Sequence, residues 1–317
     1  MNHIPKQETC EVDRLKVNSN EVSLSDFWQV ICNGRWIIAI IATLFFSLSI
    51  VYALSVPNYY KSEALLAPVD SNGAGASAIS SQLGGLASIA GLNIGGPKTD
   101  KVGLALEIMK SRAFIFKFIE RHDITADLVA VESWDMDSNR LTYENIYNAE
   151  DDSWQRRVSL PLVNKPSLQE SYKEFQKIVS IEQSQTTSLI SISIVHVSPY
   201  IAQQWVNWLV DDINNEMKSR DLIEANDSIR YLSEQLEKTN KAEIKNALYQ
   251  LVEQQSKIIM FANIREQYIL KTIDPPLAPL FVAGPKRLLI SLLGALLGIF
   301  SAITIVLVSH FYIENKQ

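Results

Sequence analysis

Two apolar runs, each without Asp, Glu, Lys or Arg and long enough to cross a bilayer, constrain this chain more than anything else in it. Residues 36–56 read WIIAIIATLFFSLSIVYALSV. At 1.5 Å per residue they cover about 31 Å, the depth of a hydrocarbon core. Trp36 and Tyr52 stand near the ends, where amphipathic rings prefer to sit, and Pro57 closes the run. The second run, 288–312, follows Lys286 and Arg287, with His310 and Glu314 marking its far end. The first run begins too late, is too long and lacks a small-x-small cleavage site, so it reads as an uncleaved anchor rather than a signal peptide. Core helices of soluble proteins seldom carry such lengths of unbroken apolar sequence.

Two spans divide the chain into a tail (1–35), a first transmembrane helix (36–56), a large domain (57–285), a second transmembrane helix (288–312) and a short tail (313–317). They also put both termini on one side. Basic residues do not decide which side: Arg35 stands outside the loop, but Lys61, Lys286 and Arg287 stand on the loop side, and a loop this long escapes the positive-inside rule. The expectation that the large domain is extracytoplasmic rests, at this level, on the absence of cysteine from it. Cys10 and Cys32 both precede the first span, form no metal-type spacing and leave no disulfide framework for the rest.

Charge removes other classes. The net charge of −6 argues against nucleic-acid binding, which needs a basic face. Over 57–285 there are 29 acidic residues against 22 basic ones, so electrostatic binding to anionic lipid is not indicated. The first tail holds Ser23 and Asp26 in a capping arrangement, with Leu24, Phe27, Trp28 and Ile31 on one face, which reads as a short interfacial helix.

Within the loop, 58–68 reads as a strand ended by Pro68, and 71–97 as a glycine-rich, loosely packed apolar segment without P-loop spacing. A helix is predicted over 100–121, irregular polar chain over 123–170, and a hairpin over 176–197, where Ile190, Ile192 and Ile194 alternate with serines. His196 continues the isoleucine face as a packed or edge histidine. Ser198 and Pro199 then read as N-cap and first residue of a long helix, about 199–270, with a coiled-coil-like seam at Leu222, Ala225, Ile229, Leu232 and Leu236. The seam weakens at Thr239 and resumes at Ile244, Leu248, Leu251 and Ile258, so a break near Lys238–Lys241 stays open. Strand, helix, hairpin and long helix make an α+β base carrying a helical stalk.

Catalytic chemistry has no support. The histidines at 3, 122, 196 and 310 are scattered, and no HExxH, GxSxG or Walker pattern occurs. Asp151 and Asp152, and Asp211 and Asp212, are neighbours in sequence and so do not face one another in regular structure. Neither an enzyme nor a cofactor-binding protein is expected, and no metal site.

Four segments carry a resemblance. GGLASIAGL (84–92), LEIMKSRAFIFKFIERH (106–122), SISIVHVSPYIAQQWVNWLVDDIN (191–214), and ANIREQYILKTIDPPLAPLFVAGPKR (262–287) leading into GALLG (294–298) resemble, in this order, the Wzz-type polysaccharide chain-length determinants, or polysaccharide co-polymerases. The resemblance implies an inner-membrane protein with a periplasmic α/β base and cytoplasmic termini. It implies ring-shaped homo-oligomers and a non-catalytic role in setting the modal length of a glycan made by a Wzy-type polymerase, acting on lipid-linked polysaccharide. The short tail ending at Gln317 points to the lipopolysaccharide O-antigen class; enterobacterial common antigen, capsule or exopolysaccharide are alternatives. From another class, a coiled-coil periplasmic adaptor of an export system is the competing reading, weakened by the second span.

Physics gives the motif residues provisional roles. Pro275, Pro276, Pro279 and Pro285 make 274–285 a stiff connector, since each lacks an N–H and fixes φ. Gly294 and Gly298 make a GxxxG face for another transmembrane helix. Lys286 and Arg287 suit headgroup anchoring or contact with polymerase or glycan. Gly84, Gly85 and Gly91 belong to the glycine-rich loop of the resemblance, whose leucines and isoleucines suggest packing on a neighbouring subunit.

Overall fold

The structure, a computed structural model, describes residues 34–69 and 101–314, with backbone alone for 310–314. In chain order the elements are α1 (Arg35–Ser55), β1 (Tyr60–Pro68), α2 (Lys101–Lys110), α3 (Arg112–His122), α4 (Thr125–Val129), β2 (Val131–Asp135), β3 (Arg140–Tyr143), β4 (Tyr147–Asn148), β5 (Ser153–Trp154), α5 (Leu168–Ile178), β6 (Val179–Gln183), β7 (Ile190–His196), α6 (Pro199–Lys238), α7 (Ala242–Ile264), β8 (Leu270–Asp274) and α8 (Arg287–Glu314). The chain divides into two units. One holds α1 and α8, the other runs from Val56 to Pro285. Both α1 and α8 are long and apolar enough to cross a membrane. The expected tail helix at 23–31, both cysteines and the glycine-rich segment lie outside the described residues.

The Val56–Pro285 unit is built on a four-stranded antiparallel sheet in the order β6-β7-β1-β8. Period two sorts its faces. Tyr60, Ala64 and Leu66 of β1 stand opposite His196, Ile192 and Ile190 of β7, and all six are buried. The other face is polar: Lys61 pairs with Glu63 at 2.7 Å, and Ser191 donates to Glu63. One covered face and one solvated face are characteristic of antiparallel sheets. The covering layer is α6, which lays Ala202, Trp205, Val206, Leu209, Ile213 and Met217 onto the sheet at helical spacing, joined by Met109 of α2, Phe118 of α3 and Phe175 of α5. Full burial of each large side chain contributes about 1.5–3 kcal/mol.

Several expectations need correction. The helix over 100–121 is two helices, because Ser111 adopts an extended conformation and caps α3, its Oγ accepting from the Phe114 N–H at 3.3 Å. The supposedly irregular stretch 123–170 contains two small hairpins and the start of α5. That helix opens with a reciprocal capping box between Ser167 and Glu170, a pattern readable in the sequence. Ser198 does occupy the N-cap of α6, but its side chain makes no cap bond.

The helical stretch over 199–270 breaks where the sequence left a break open, near Lys238–Lys241, and its helix ends at Ile264 rather than 270. α6 ends at Lys238, Thr239–Lys241 are extended, and α7 folds back along α6. Ala225 and Ala262 are buried where the two pack, and Ile269 and Leu270, just beyond α7, reach Asn214. α6 spans about 60 Å at 1.5 Å per residue, so the helical projection is a hairpin of two helices. The first seam, Leu222 to Leu236, is buried or half-buried as expected; in the second, Leu248 and Ile258 are half-buried but Ile244 and Leu251 are exposed.

Candidate functional site

In the apolar unit, α1 and α8 run antiparallel and touch along a stripe of small residues. A Cβ added at Gly294 would stand 2.3 Å from the Cβ of Ser49, and one at Gly298 would stand 2.7 Å from the Cβ of Phe45 and 3.2 Å from the Cα of Ala42. Neither position has room for a side chain. The Ser49 hydroxyl also donates to the Ile290 carbonyl at 2.9 Å, a bond that spares a hydroxyl from facing hydrocarbon. The glycines therefore face the chain's own first helix. Ala302, four residues on and fully buried, extends the stripe; small residues every fourth position were its signal.

The proline connector is tied down through carbonyls. Prolines donate nothing, but their carbonyls still accept. Gln203 Nε2 of α6 donates to the Pro276 carbonyl at 2.9 Å, and Ser62 Oγ of β1 donates to the Leu277 carbonyl at 2.9 Å. Pro276 is buried, whereas Pro275 is exposed and Pro279 and Pro285 are half-buried. At the end of the connector, the Tyr59 N–H donates to the Gly284 carbonyl at 2.8 Å and the Ala283 N–H donates to the Tyr59 carbonyl at 2.7 Å. The two stretches that leave this unit are thus zipped together. Lys286 and Arg287 are both exposed. Gly84, Gly85 and Gly91 lie outside the described residues.

Three polar side chains of α6 lock the base; of these the sequence reading named Asp212 alone, as half of the adjacent pair Asp211–Asp212. Asn214, 4% exposed, works as a substitute strand on the outer edge of β8: its Oδ1 accepts from the N–H groups of Ile269 (2.8 Å) and Leu270 (3.0 Å), and its Nδ2 donates to the Leu270 carbonyl at 3.1 Å. Exchange of both bonds with Leu270 imitates an antiparallel pair. Asp212 accepts from Arg121 Nη1 at 2.6 Å and lies 3.1 Å from His122 Nε2. The His122 ring stacks on Trp208 with centroids 4.1 Å apart, so the C-terminus of α3 is clamped to α6. Asp221 accepts from Lys101 Nζ at 2.6 Å and from the Tyr268 hydroxyl at 2.5 Å, joining the start of α2 to the chain just before β8. Burial and the Asp221 carboxylate together push the Tyr268 phenol up. A polar residue between apolar helical positions was the available signal; its partners were not.

His196 is buried on the core face of β7. The Ser198 N–H donates to its Nδ1 at 3.0 Å, so Nδ1 is an acceptor, and Nε2 carries the proton toward the Asp127 carbonyl at 3.1 Å. Burial pushes its pKa down, which keeps the ring neutral with both nitrogens engaged. Among the described residues no group of three or more His, Cys, Asp or Glu side chains gathers as a metal site.

This frame can hold two chain ends together and present a helical hairpin. Residues 20–122, which run into the first apolar helix and through β1, α2 and α3, match the family model described as Wzz, chain length determinant protein. The match covers about a third of the chain. Among solved structures it is similar to one titled full-length bacterial polysaccharide co-polymerase, at 14% identity, covering 92% of this chain and 99% of that one with a TM-score of 0.39. It is also similar to one titled fragment of WzzB, polysaccharide co-polymerase from Salmonella Typhimurium, at 14% identity, covering 72% of this chain and 100% of that one with a TM-score of 0.30. Among curated proteins none matches.

Proposed function

We propose that this protein sets the modal length of a surface polysaccharide, lipopolysaccharide O-antigen made by a Wzy-type polymerase. It does so from the inner membrane, with α1 and α8 spanning the bilayer, the Val56–Pro285 unit in the periplasm and both termini in the cytoplasm. The observation that carries the reading is the Wzz-type match over 20–122, which begins before the first apolar helix and ends at His122 of α3. The close packing of α1 on α8 at Gly294 and Gly298 supports two spans that act as one anchor.

In this reading the protein assembles with copies of itself into a ring, meets the polymerase and lipid-linked polysaccharide, and biases when extension stops. Pro275, Pro276, Pro279 and Pro285 transmit the position of the unit to the membrane. Lys286 and Arg287 stand at headgroup depth.

The test is a silver-stained gel of lipopolysaccharide from a strain lacking the gene, with and without the gene restored. Loss of a modal ladder and its return on complementation is the expected result. An unchanged ladder refutes O-antigen control; the lengths of enterobacterial common antigen and capsule are then compared in the same strains. The helical hairpin α6–α7 is the one feature shared with the adaptor reading, and copurification with an outer-membrane channel would favour that alternative.

A further inference from the structure

We infer that the segment 277–283 is a membrane-inserting strap: Leu280 and Phe281, with Leu277 beside them, sit in the lipid headgroup and upper acyl region rather than in water. The inference rests on the membrane reading just given.

Residues 275–285, PPLAPLFVAGP, contain no charged side chain. Yet they lie on the outside of their unit, with Leu280 84%, Phe281 86% and Leu277 68% exposed. A contiguous, charge-free, aromatic-bearing patch of this kind is costly in water and marks a contact surface.

Chain length and pairing choose the contact. Phe281 precedes Arg287, the first residue of α8, by six residues, so it stays within about 20 Å of the helix start even when fully extended. The second tether agrees. Tyr59, bonded to Ala283 and Gly284, comes four residues after Ser55, the last residue of α1. By chain length alone, this edge of the unit stays within about 20 Å of the ends of both apolar helices. A basic pair, Lys286 and Arg287, follows the strap, as at headgroup level in anchored segments.

The backbone also suits a dry site. Irregular chain is excluded from hydrocarbon because its N–H and C=O groups go unpaired. Here four prolines remove four N–H groups. Ser62 serves the Leu277 carbonyl, Gln203 that of Pro276, and Tyr59 the backbone of Ala283 and Gly284. The backbone at Ala278 and Leu280–Val282 keeps its hydration in the headgroup layer, while the exposed side chains there are all apolar. Insertion of about 5–10 Å, typical of interfacial segments, would bury them. The contact is apolar, in keeping with the net acidic charge between the spans.

The test uses the full chain in liposomes, with Cys10→Ser and Cys32→Ser as background. Single cysteines at Phe281→Cys or Leu280→Cys carry an environment-sensitive fluorophore. Leu44→Cys in the middle of α1 and Leu160→Cys on an exposed loop of the Val56–Pro285 unit are the references. Labels at 280 and 281 should be quenched most by lipids bearing a shallow nitroxide, and should be several-fold less accessible to aqueous iodide than the label at 160. Labels at 280 and 281 that follow the label at 160 overturn the inference, and lipid quenching at 44 then leaves the membrane reading standing. Protection at 280 and 281 from both quenchers also overturns it, since another protein surface then covers the strap. Iodide access at 44 refutes the membrane reading itself.

Discussion

Replacing Asn214 by leucine should release the outer edge of β8 while leaving the rest of the unit folded. The volume is nearly conserved, so the loss is polar. Ile269 N–H, Leu270 N–H and the Leu270 carbonyl each lose the partner that Asn214 supplies. Ile269 and Leu270 are 5% and 0% exposed, so water does not replace it without local opening. A buried polar group left unpaired costs about 1–3 kcal/mol. Taking the low end for three groups, because β8 is an edge strand that can open, gives about 3 kcal/mol. At 1.4 kcal/mol per factor of ten, amide exchange of the 266–274 segment should accelerate roughly 100-fold. The assay is hydrogen–deuterium exchange with peptide-level mass spectrometry on the full chain in nanodiscs, with α8 peptides as an internal control. Asn214→Asp keeps the acceptor for both N–H groups but not the donor, and should fall between the wild type and Asn214→Leu. Wild-type exchange at 266–274 in Asn214→Leu would refute the claim that this side chain stands in for a strand.

Three further expectations follow from the same geometry. Gly294→Leu should force α1 and α8 apart, because even its Cβ would stand 2.3 Å from the Cβ of Ser49, and should speed hydrogen–deuterium exchange of α1 and α8 peptides in nanodiscs; wild-type exchange would contradict the contact. Gly298→Leu should act the same way, because its Cβ already meets Phe45 and Ala42. Glu170 is held at about 2, below its ordinary 4.5, first by the Arg156 guanidinium at 2.8 Å and then by the Ser167 N–H. Its ionised form therefore contributes stability that is complete above pH 4.5 and is lost as pH falls from 4.5 toward 2. The urea midpoint of Glu170→Gln, followed against pH, should lack that part of the acid slope, and a slope equal to wild type would contradict it. Ser111→Ala should cost about 1 kcal/mol through the lost cap of α3, read as a lower urea midpoint without a change in slope.

Legibility in the sequence tracked the range of the forces involved. The apolar runs that became α1 and α8 need no partner to be recognised, since length and the absence of charge are local properties. The alternation at Ile190, Ile192 and Ile194 announced β7 for the same reason, and Ser198–Pro199 marked the start of α6. Where a local signal was present but weak, it was passed over. The Ser167–Glu170 capping box lay in a stretch that read as irregular, and Ser111 interrupted a helical pattern that otherwise ran through. β8 fell between the helical reading that ended at 270 and the connector that began at 274, because five residues with little alternation carry almost no period of their own.

The candidate site divides the same way. Gly294 and Gly298 were visible as a close-packing face, because only glycine leaves such a gap. Which helix fills it was not visible, since contact between residues 45–49 and 294–298 depends on how the chain returns. Asn214, Asp212 and Asp221 gave only the hint of a polar residue on a buried face. Their partners lie about 50 to 120 residues away, and no periodicity reports a hydrogen bond across that distance. The sequence by itself determined two apolar anchors, an alternating strand pair, a helical stretch with a weak point at Thr239, and a charge-free proline connector. The tertiary structure alone decided that the stretch folds back as a hairpin, that Asn214 closes the edge of β8, and that Tyr59 ties the two chain ends together. Those outcomes follow from burial and from satisfying backbone groups between distant segments, and both depend on which surfaces meet.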